Sequence, residues 1–233
     1  MLRGTSLRTV FFLTLSASGL ARGEEWELID ESDGIQSFSQ KSPGQTAIGV
    51  RGLTTMDVPI ELVAQVLLDP DGEKRKEWVD LISEFTFLQY EGNLAYTYSL
   101  VDLPWPLQDR DFVVRNELSF DDVKHELVLK FESGVHPKAP ATPGIRGEVS
   151  QGFYRLTALS RSSTRVEVQT QVNLKGLIPI WIVNLGQKNW PHKTLTAMKA
   201  MAQKPQAKAN DLVLKRLEEW QLPAVDTAAA SKR

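Results

Sequence analysis

The chain has 233 residues, of which 42% are hydrophobic and 24% charged, with a formal net charge of −2 and no cysteine. That length suits one α+β domain with a sizeable core, and the charge leaves no basic footprint for nucleic acid. A disulfide-stapled scaffold is excluded, and so is a cysteine-bound metal.

The first segment does not read as fold material. Arg3 and Arg8 precede an apolar run from Val10 to Leu20, and Ala21-Arg22-Gly23 offers small residues two apart. This is the layout of a secretory signal peptide over residues 1–23, with cleavage expected near Glu24; the alternative is an uncleaved anchor. The run is shorter than the ~20 residues that span a bilayer comfortably. Residues 1–23 hold three of the 27 basic residues and none of the 29 acidic ones, so the remainder carries a net charge of −5. An exported chain is expected, periplasmic in a bacterium and secreted otherwise.

Strands come next. Trp26 to Asp30 and Ile35 to Lys41 flank Asp33-Gly34, a hairpin turn dipeptide, and Thr46 to Thr55 follows the Ser42-Pro43-Gly44 turn. Ile60, Val63, Ala64, Leu67 and Leu68 then fall on one stripe of a 3.6-residue period, a helix with Pro59 at its first position and Asp57 near enough to cap it. Asp69-Pro70-Asp71-Gly72 ends that helix, and a short charged helix carrying Trp78 is expected after it.

Phe85 to Tyr90 and Leu94 to Asp102 form the next hairpin. The two prolines of Leu103-Pro104-Trp105-Pro106-Leu107 remove ladder donors, so this stretch is a loop that exposes a tryptophan. Arg110 to Phe120 pairs with His125 to Glu132, a proline-rich loop spans Pro137 to Gly144, and two strands follow, the last over Thr164 to Leu174. In that strand Val166, Val168, Thr170, Val172 and Leu174 face one way and polar residues the other, the pattern of a sheet with one wet face. After Gly176 an apolar helical face runs through Ile178, Trp181, Ile182, Leu185, Leu195, Met198, Met201 and Ala202, with Pro191 expected to kink the helix or delay its start. Lys208 to Trp220 can form one more helix, and Pro223 to Arg233 looks frayed.

The order strands, helices, strands, long helix predicts an α+β fold in which an antiparallel sheet curls around a C-terminal helix. Such a sheet leaves a cavity at its mouth. On the Arg110 strand, Arg110, Phe112, Val114, Asn116 and Leu118 share the inward face. Asn116 is a lone polar group there and needs a partner, either a ligand or the backbone. Arg110 either contacts a phosphate of the ligand or forms an ion pair with Asp109, Asp111 or another acid. Trp105 either packs on the C-terminal helix or meets a membrane interface. His125, His136 and His192 have no metal-ligand spacing, and neither a nucleophile elbow nor a phosphate-binding loop is present.

Four segments together resemble the START family, the steroidogenic-acute-regulatory-related lipid-transfer domains. They are Trp26 to Ser42 with its Asp33-Gly34-Ile35 turn; Arg75 to Trp78; the Leu103–Leu107 loop leading into Arg110-Asp111-Phe112-Val113; and Gly176-Leu177-Ile178-Pro179-Ile180-Trp181-Ile182-Val183-Asn184 followed by Pro191. The resemblance covers residues 24–204, leaving 205–233 as a helical extension and tail. The loop before Arg110 is most similar to the phosphatidylcholine-transfer branch. The resemblance implies a helix-grip fold, a tunnel holding one lipid, and a lid made of the Trp105 loop and the C-terminal helix. Sterol-binding members carry an arginine near the place of Asn116 and an acid on the neighbouring strand, where this chain has Thr97 and Ser99, so that ion pair is missing.

Thr97, Ser99, Trp105, Arg110, Asn116, Leu185, Leu195 and Met198 are accordingly the expected ligand-binding residues, with no catalytic group, metal or cofactor. The expected partners are a lipid or other hydrophobic molecule and, transiently through the lid, a membrane; the chain is expected to be a monomer. The alternative is an enzyme of the related cyclase type acting on a hydrophobic substrate in the same cavity. A sensor that signals through its C-terminal tail is a third possibility.

Overall fold

The computed structural model describes residues 26–40, 47–204 and 211–220. The segment read as a signal peptide, the Ser42-Pro43-Gly44 turn and the tail from Pro223 lie outside the described residues.

Local chemistry explains the first half. Strands β1 (Trp26–Ser32) and β2 (Ile35–Gln40) pair antiparallel. Asp33 and Gly34 both hold positive φ, 52° and 73°, as the tight turn between them requires. β3 (Ala47–Met56) pairs with β2 and leads into α1 (Ile60–Leu68), which buries Ile60, Val63, Ala64 and Leu67 as its periodicity predicts. Pro59 is the N-cap residue and not the first helical one, and no side chain caps the helix, so Asp57 does not play that part. Asp71 caps α2 (Gly72–Trp78) by accepting from the Glu73 amide at 3.0 Å.

The remaining strands are β4 (Ile82–Glu91), β5 (Leu94–Val101), β6 (Arg110–Asp121), β7 (Glu126–Ser133), β8 (Ile145–Arg146), β9 (Glu148–Ser160) and β10 (Ser163–Asn173). They join β1 to β3 in one curved sheet of order β1-β2-β3-β10-β9-β7-β6-β5-β4. Its neighbours are antiparallel except for two-residue β8, which pairs parallel with β6 and has no sequence signal of its own. A half-buried ion pair sets it there: Asp111, wholly buried, holds Arg146 at 2.5 Å and the Thr142 hydroxyl at 2.5 Å.

Helix α3 (Ile180–Ala202) crosses the sheet, and its helical assignment is continuous through Pro191. Packing on β2, β3, α1 and α2 holds it in that form despite the missing amide. Leu195, Met198, Met201 and Ala202 enter the main core with α1 and the inner faces of β9 and β10. Ile178, Ile182 and Val183 enter a second cluster with Phe112, Val149 and Leu174. Trp181 stands outside the apolar face expected for it and is half-exposed. The short α4 (Asp211–Glu219) closes the main core from outside, through Val213 and through Trp220, whose indole donates to Asp122 at 2.8 Å. No described helix is long and apolar enough to cross a membrane.

Candidate functional site

Between the two apolar clusters, under the middle of α3, lies a cavity of about 400 Å³. Sheet register builds its wall in rows. One row runs Val50–Thr170–Gly152–Phe131–Asn116–Ala95–Tyr90 across β3, β10, β9, β7, β6, β5 and β4. Side chains alternate along each strand, so Phe87, Thr97, Val114, Val149, Val172 and Ile48, two or so residues further along their strands, face the same space. Gly152 is the gap in the first row. A Cβ there would stand 2.2 Å from the Phe131 ring, so its absence gives that ring its place against β9 in the wall. Gly186, Asn189, Trp190 and Lys193 of α3 close the other side.

The wall is apolar with a few polar groups, of which the Thr170 hydroxyl is buried without a hydrogen-bond partner among the described residues. The Asn116 amide donates to the Thr97 hydroxyl at 3.0 Å and to the carbonyls of Val114 at 3.2 Å and Ala95 at 3.4 Å. Its partner is therefore the protein, on the donor side. Its amide oxygen accepts no hydrogen bond among the described residues. Asp80 and Lys193, both in the wall and both reaching solvent, pair at 3.1 Å.

Arg75 is the charged group of the wall without an ionic partner among the described residues. From α2 its guanidinium reaches into the wall, with Cζ 4.7 Å from the Trp78 ring and 4.8 Å from the Phe85 ring. Nη2 donates to the Leu67 carbonyl at 2.8 Å, while Nε is buried without a partner. No carboxylate pairs with it among the described residues; the nearby Asp69 is held instead by Lys74 at 2.8 Å. Burial pushes its pKa down to about 10, against the smaller opposing pulls of Tyr154 and Asp69. It stays a cation at neutral pH, in an apolar wall, with donors to spare. The Tyr154 phenol beside it is pushed well above its ordinary value by burial. An anionic group placed between them would receive charge-assisted hydrogen bonds from a preformed fork.

The residues expected from the sequence divide. Thr97, Ser99 and Asn116 line the cavity together. Leu195 and Met198 do not: both are wholly buried in the main core. The Leu185 side chain lies outside those described. Trp105 is 91% exposed, not packed on a helix, although its neighbours Leu103 and Pro104 reach the wall. Arg110 is 2% exposed and lies outside the wall. It forms no ion pair with Asp109 or Asp111. It donates instead from Nε to the Leu174 carbonyl at 2.7 Å, from Nη2 to the Lys175 carbonyl at 3.1 Å, and from Nη1 to the Gln108 carbonyl. Asp109 is taken by the Leu103 amide and Asp111 by Arg146.

Arg75, Tyr154, Phe131 and Trp190 were not picked out as site residues by sequence reasoning. For Arg75 a faint signal exists, since it stands three residues before Trp78 and so shares the buried face of an otherwise charged helix. Among the described residues no three histidine, aspartate or glutamate side chains are grouped to hold a metal ion.

Comparison with known proteins agrees with this architecture. The START domain model matches residues 14–218. An uncharacterized protein of Pseudomonas aeruginosa is 27% identical over 210 residues, covering 88% of this chain and 98% of that one. Human START domain-containing protein 10 is 29% identical over 159 residues, covering 67% of this chain; the chain spans 53% of that protein's length. The crystal structure of human STARD10 superposes with a TM-score of 0.67 at 22% identity, over 86% of this chain and 84% of that one. A STAR-related lipid transfer protein from Xanthomonas axonopodis, solved as a fragment, gives a TM-score of 0.64 at 21% identity, over 77% of this chain and 99% of that one. The chain belongs to the START domain family.

Proposed function

We propose that this protein binds one lipid or similar hydrophobic molecule in the cavity under α3, with the acidic group of the ligand on Arg75, and carries it between membranes outside the cytoplasm. The observation that carries the proposal is a largely apolar cavity whose wall holds a guanidinium without a carboxylate partner. An uncompensated buried charge is costly unless something pairs with it, and an anionic amphiphile supplies both the pairing group and the apolar tail.

Energetics favour carriage over storage. Each methylene moved from water into the apolar rows is worth about 0.8 kcal/mol, and a bilayer offers nearly the same, so exchange between the two is close to balanced. The exposed Trp105 loop at the rim is suited to the membrane interface at which exchange occurs. The signal-like residues 1–23 support an exported site of action. The enzyme alternative draws little from the wall, because Asp80, its one carboxylate among the described residues, is tied to Lys193. The Xanthomonas relative is a lipid transfer protein by name, which supports binding without chemistry.

Native mass spectrometry of the purified chain, with extraction of whatever co-purifies, tests the proposal. One acidic lipid or fatty acid per chain is the expected result. A protein that arrives empty and takes up nothing from a panel of labelled lipids would overturn it.

A further inference from the structure

The inward face of β10 and its end reads Val166, Val168, Thr170, Val172 and Leu174. Val166 and Val168 enter the main core, Val172 and Leu174 belong to the second cluster, and Thr170 falls between them, where the cavity lies. Valine has nearly the same shape as threonine, so packing gives no reason for a hydroxyl at this place. Thr170 is 6% exposed, and its Oγ1 is buried with no hydrogen-bond partner among the described residues. The other buried threonines of the sheet are satisfied by the protein. Thr54 donates to the Gly34 carbonyl at 2.9 Å, Thr164 on the same strand donates to the Val58 carbonyl at 2.8 Å, and Thr97 accepts from Asn116 at 3.0 Å. Ser37 and Thr194 also bury a hydroxyl without a partner, but neither belongs to the cavity wall. A hydroxyl sealed from water costs stability unless something bonds to it, and at Thr170 the occupant of the cavity can supply that bond.

We propose that the ligand is a long-chain acid with a hydroxyl in the interior of its chain, and that Thr170 binds this hydroxyl. The inference rests on the ligand-carrying function proposed above, with the acid on Arg75. Sheet register sets the spacing. Tyr154, beside Arg75, pairs with Val168, and Thr170 pairs with Gly152, so Thr170 stands one strand across and two residues along from Tyr154. At ~4.8 Å between strands and ~3.4 Å per residue, the two Cα atoms are roughly 8 Å apart. The carboxyl end of the ligand therefore meets Arg75 and Tyr154, and a group several carbons further along meets Thr170. Gly152 and Phe131, next along the row, offer only carbon. A hydroxyl suits Thr170, which can donate to it or accept from it, and it also suits the free Asn116 amide oxygen on the same row, which can only accept. The cavity of about 400 Å³ lies near the small end of the range for ligand sites, in keeping with a single acyl chain.

The test measures displacement of an anthroyloxy-labelled stearic acid from the whole chain by stearic acid and by its 3-, 7-, 10- and 12-hydroxy derivatives. All carry the same charge, so the contribution of Arg75 cancels in their ratios. In the wild type one of the interior isomers is expected to bind at least as tightly as stearic acid. In Thr170→Val the ratio of its affinity to that of stearic acid is expected to fall about three- to tenfold, the worth of one hydrogen bond. The melting temperature of the empty variant is expected to hold or rise, because an unpartnered hydroxyl is gone. Thr170→Ser keeps the hydroxyl and is expected to keep the ratio. The 3-hydroxy acid, whose hydroxyl stays beside the carboxylate, is expected to give the same ratio in all three proteins. If no interior isomer responds to Thr170→Val, or only the 3-hydroxy acid does, the hydroxyl site is overturned and the carrier function stands. A lower melting temperature for empty Thr170→Val also overturns the site, since the hydroxyl would then be bonded within the protein. Failure of the wild type to take up this probe or any other labelled lipid overturns both.

Discussion

Arg75 and Arg110 are both withdrawn from water without a carboxylate partner, and the molecule resolves them in opposite ways. Arg110 stands at the foot of the rim and gives each of its three guanidinium nitrogens an acceptor, the carbonyls of Leu174, Gln108 and Lys175. Burial lowers its pKa, yet each face of its fork meets an acceptor. Arg75 stands in the cavity wall with one carbonyl, two aromatic faces and an unpartnered Nε. The first is complete in the empty protein and the second is not. Structural and ligand-binding arginines can therefore be told apart by how many of their donors the fold itself satisfies.

The largest effect should come from breaking the complete one. Arg110→Met leaves buried carbonyls at the β10–α3 junction without donors and is expected to cost about 3 kcal/mol. Urea unfolding should show this as a lower midpoint at unchanged slope. A cost under ~1 kcal/mol would mean that water replaces the guanidinium and the joint is not sealed.

Arg75→Met should behave differently. A base whose folded pKa lies below its unfolded value costs stability while it is charged in both states, and that cost fades only as pH rises through the folded value, about 10 here. At neutral pH the empty wild type therefore carries the full cost. Its loss of one hydrogen bond and two ring contacts offsets part of the relief, so the empty variant is expected to fall within about 1 kcal/mol of the wild type, on the stable side. Its affinity for a fluorescent fatty acid should drop at least tenfold, about 1.4 kcal/mol, with no change for the matching neutral alcohol. Equal losses for acid and alcohol would remove Arg75 as the anion's partner.

The same contrast shows what could be read before the structure. Periodicity is local, so the stripe of α1, the alternation of β10 and the exposed Trp105 loop were all legible. Partnership is not local. Two of the three acceptors of Arg110 lie 64 and 65 residues away, where no spacing rule reaches. On α3, Leu195 and Met198 look like the best lining residues because they are apolar, but the most apolar face of a helix goes to the core. Beside Ile182 and Trp190 the cavity takes Gly186, Asn189 and Lys193, small or polar positions that a hydrophobic pattern passes over. Arg75 sits in a helix of mixed charge, where its spacing to Trp78 is the one hint of burial; the Phe85 ring on its other side comes from β4 and has no local signal.

The smallest expected effect on stability, and the sharpest separation of stability from function, is at the rim. Trp105 is 91% exposed between two prolines, so its indole is neither packed nor free to fold back. Trp105→Ala should shift stability by no more than about 0.5 kcal/mol, because almost no buried surface is lost. Its effect should fall on rate: slower uptake of labelled lipid from vesicles, with unchanged equilibrium affinity for a soluble fatty acid. An exposed tryptophan contributes nothing to the cavity and a good deal to an interface, where its apolar ring and polar N–H both find their medium. If the variant instead melts several degrees lower, Trp105 packs against the protein in solution, and uptake from vesicles must depend on another part of the rim.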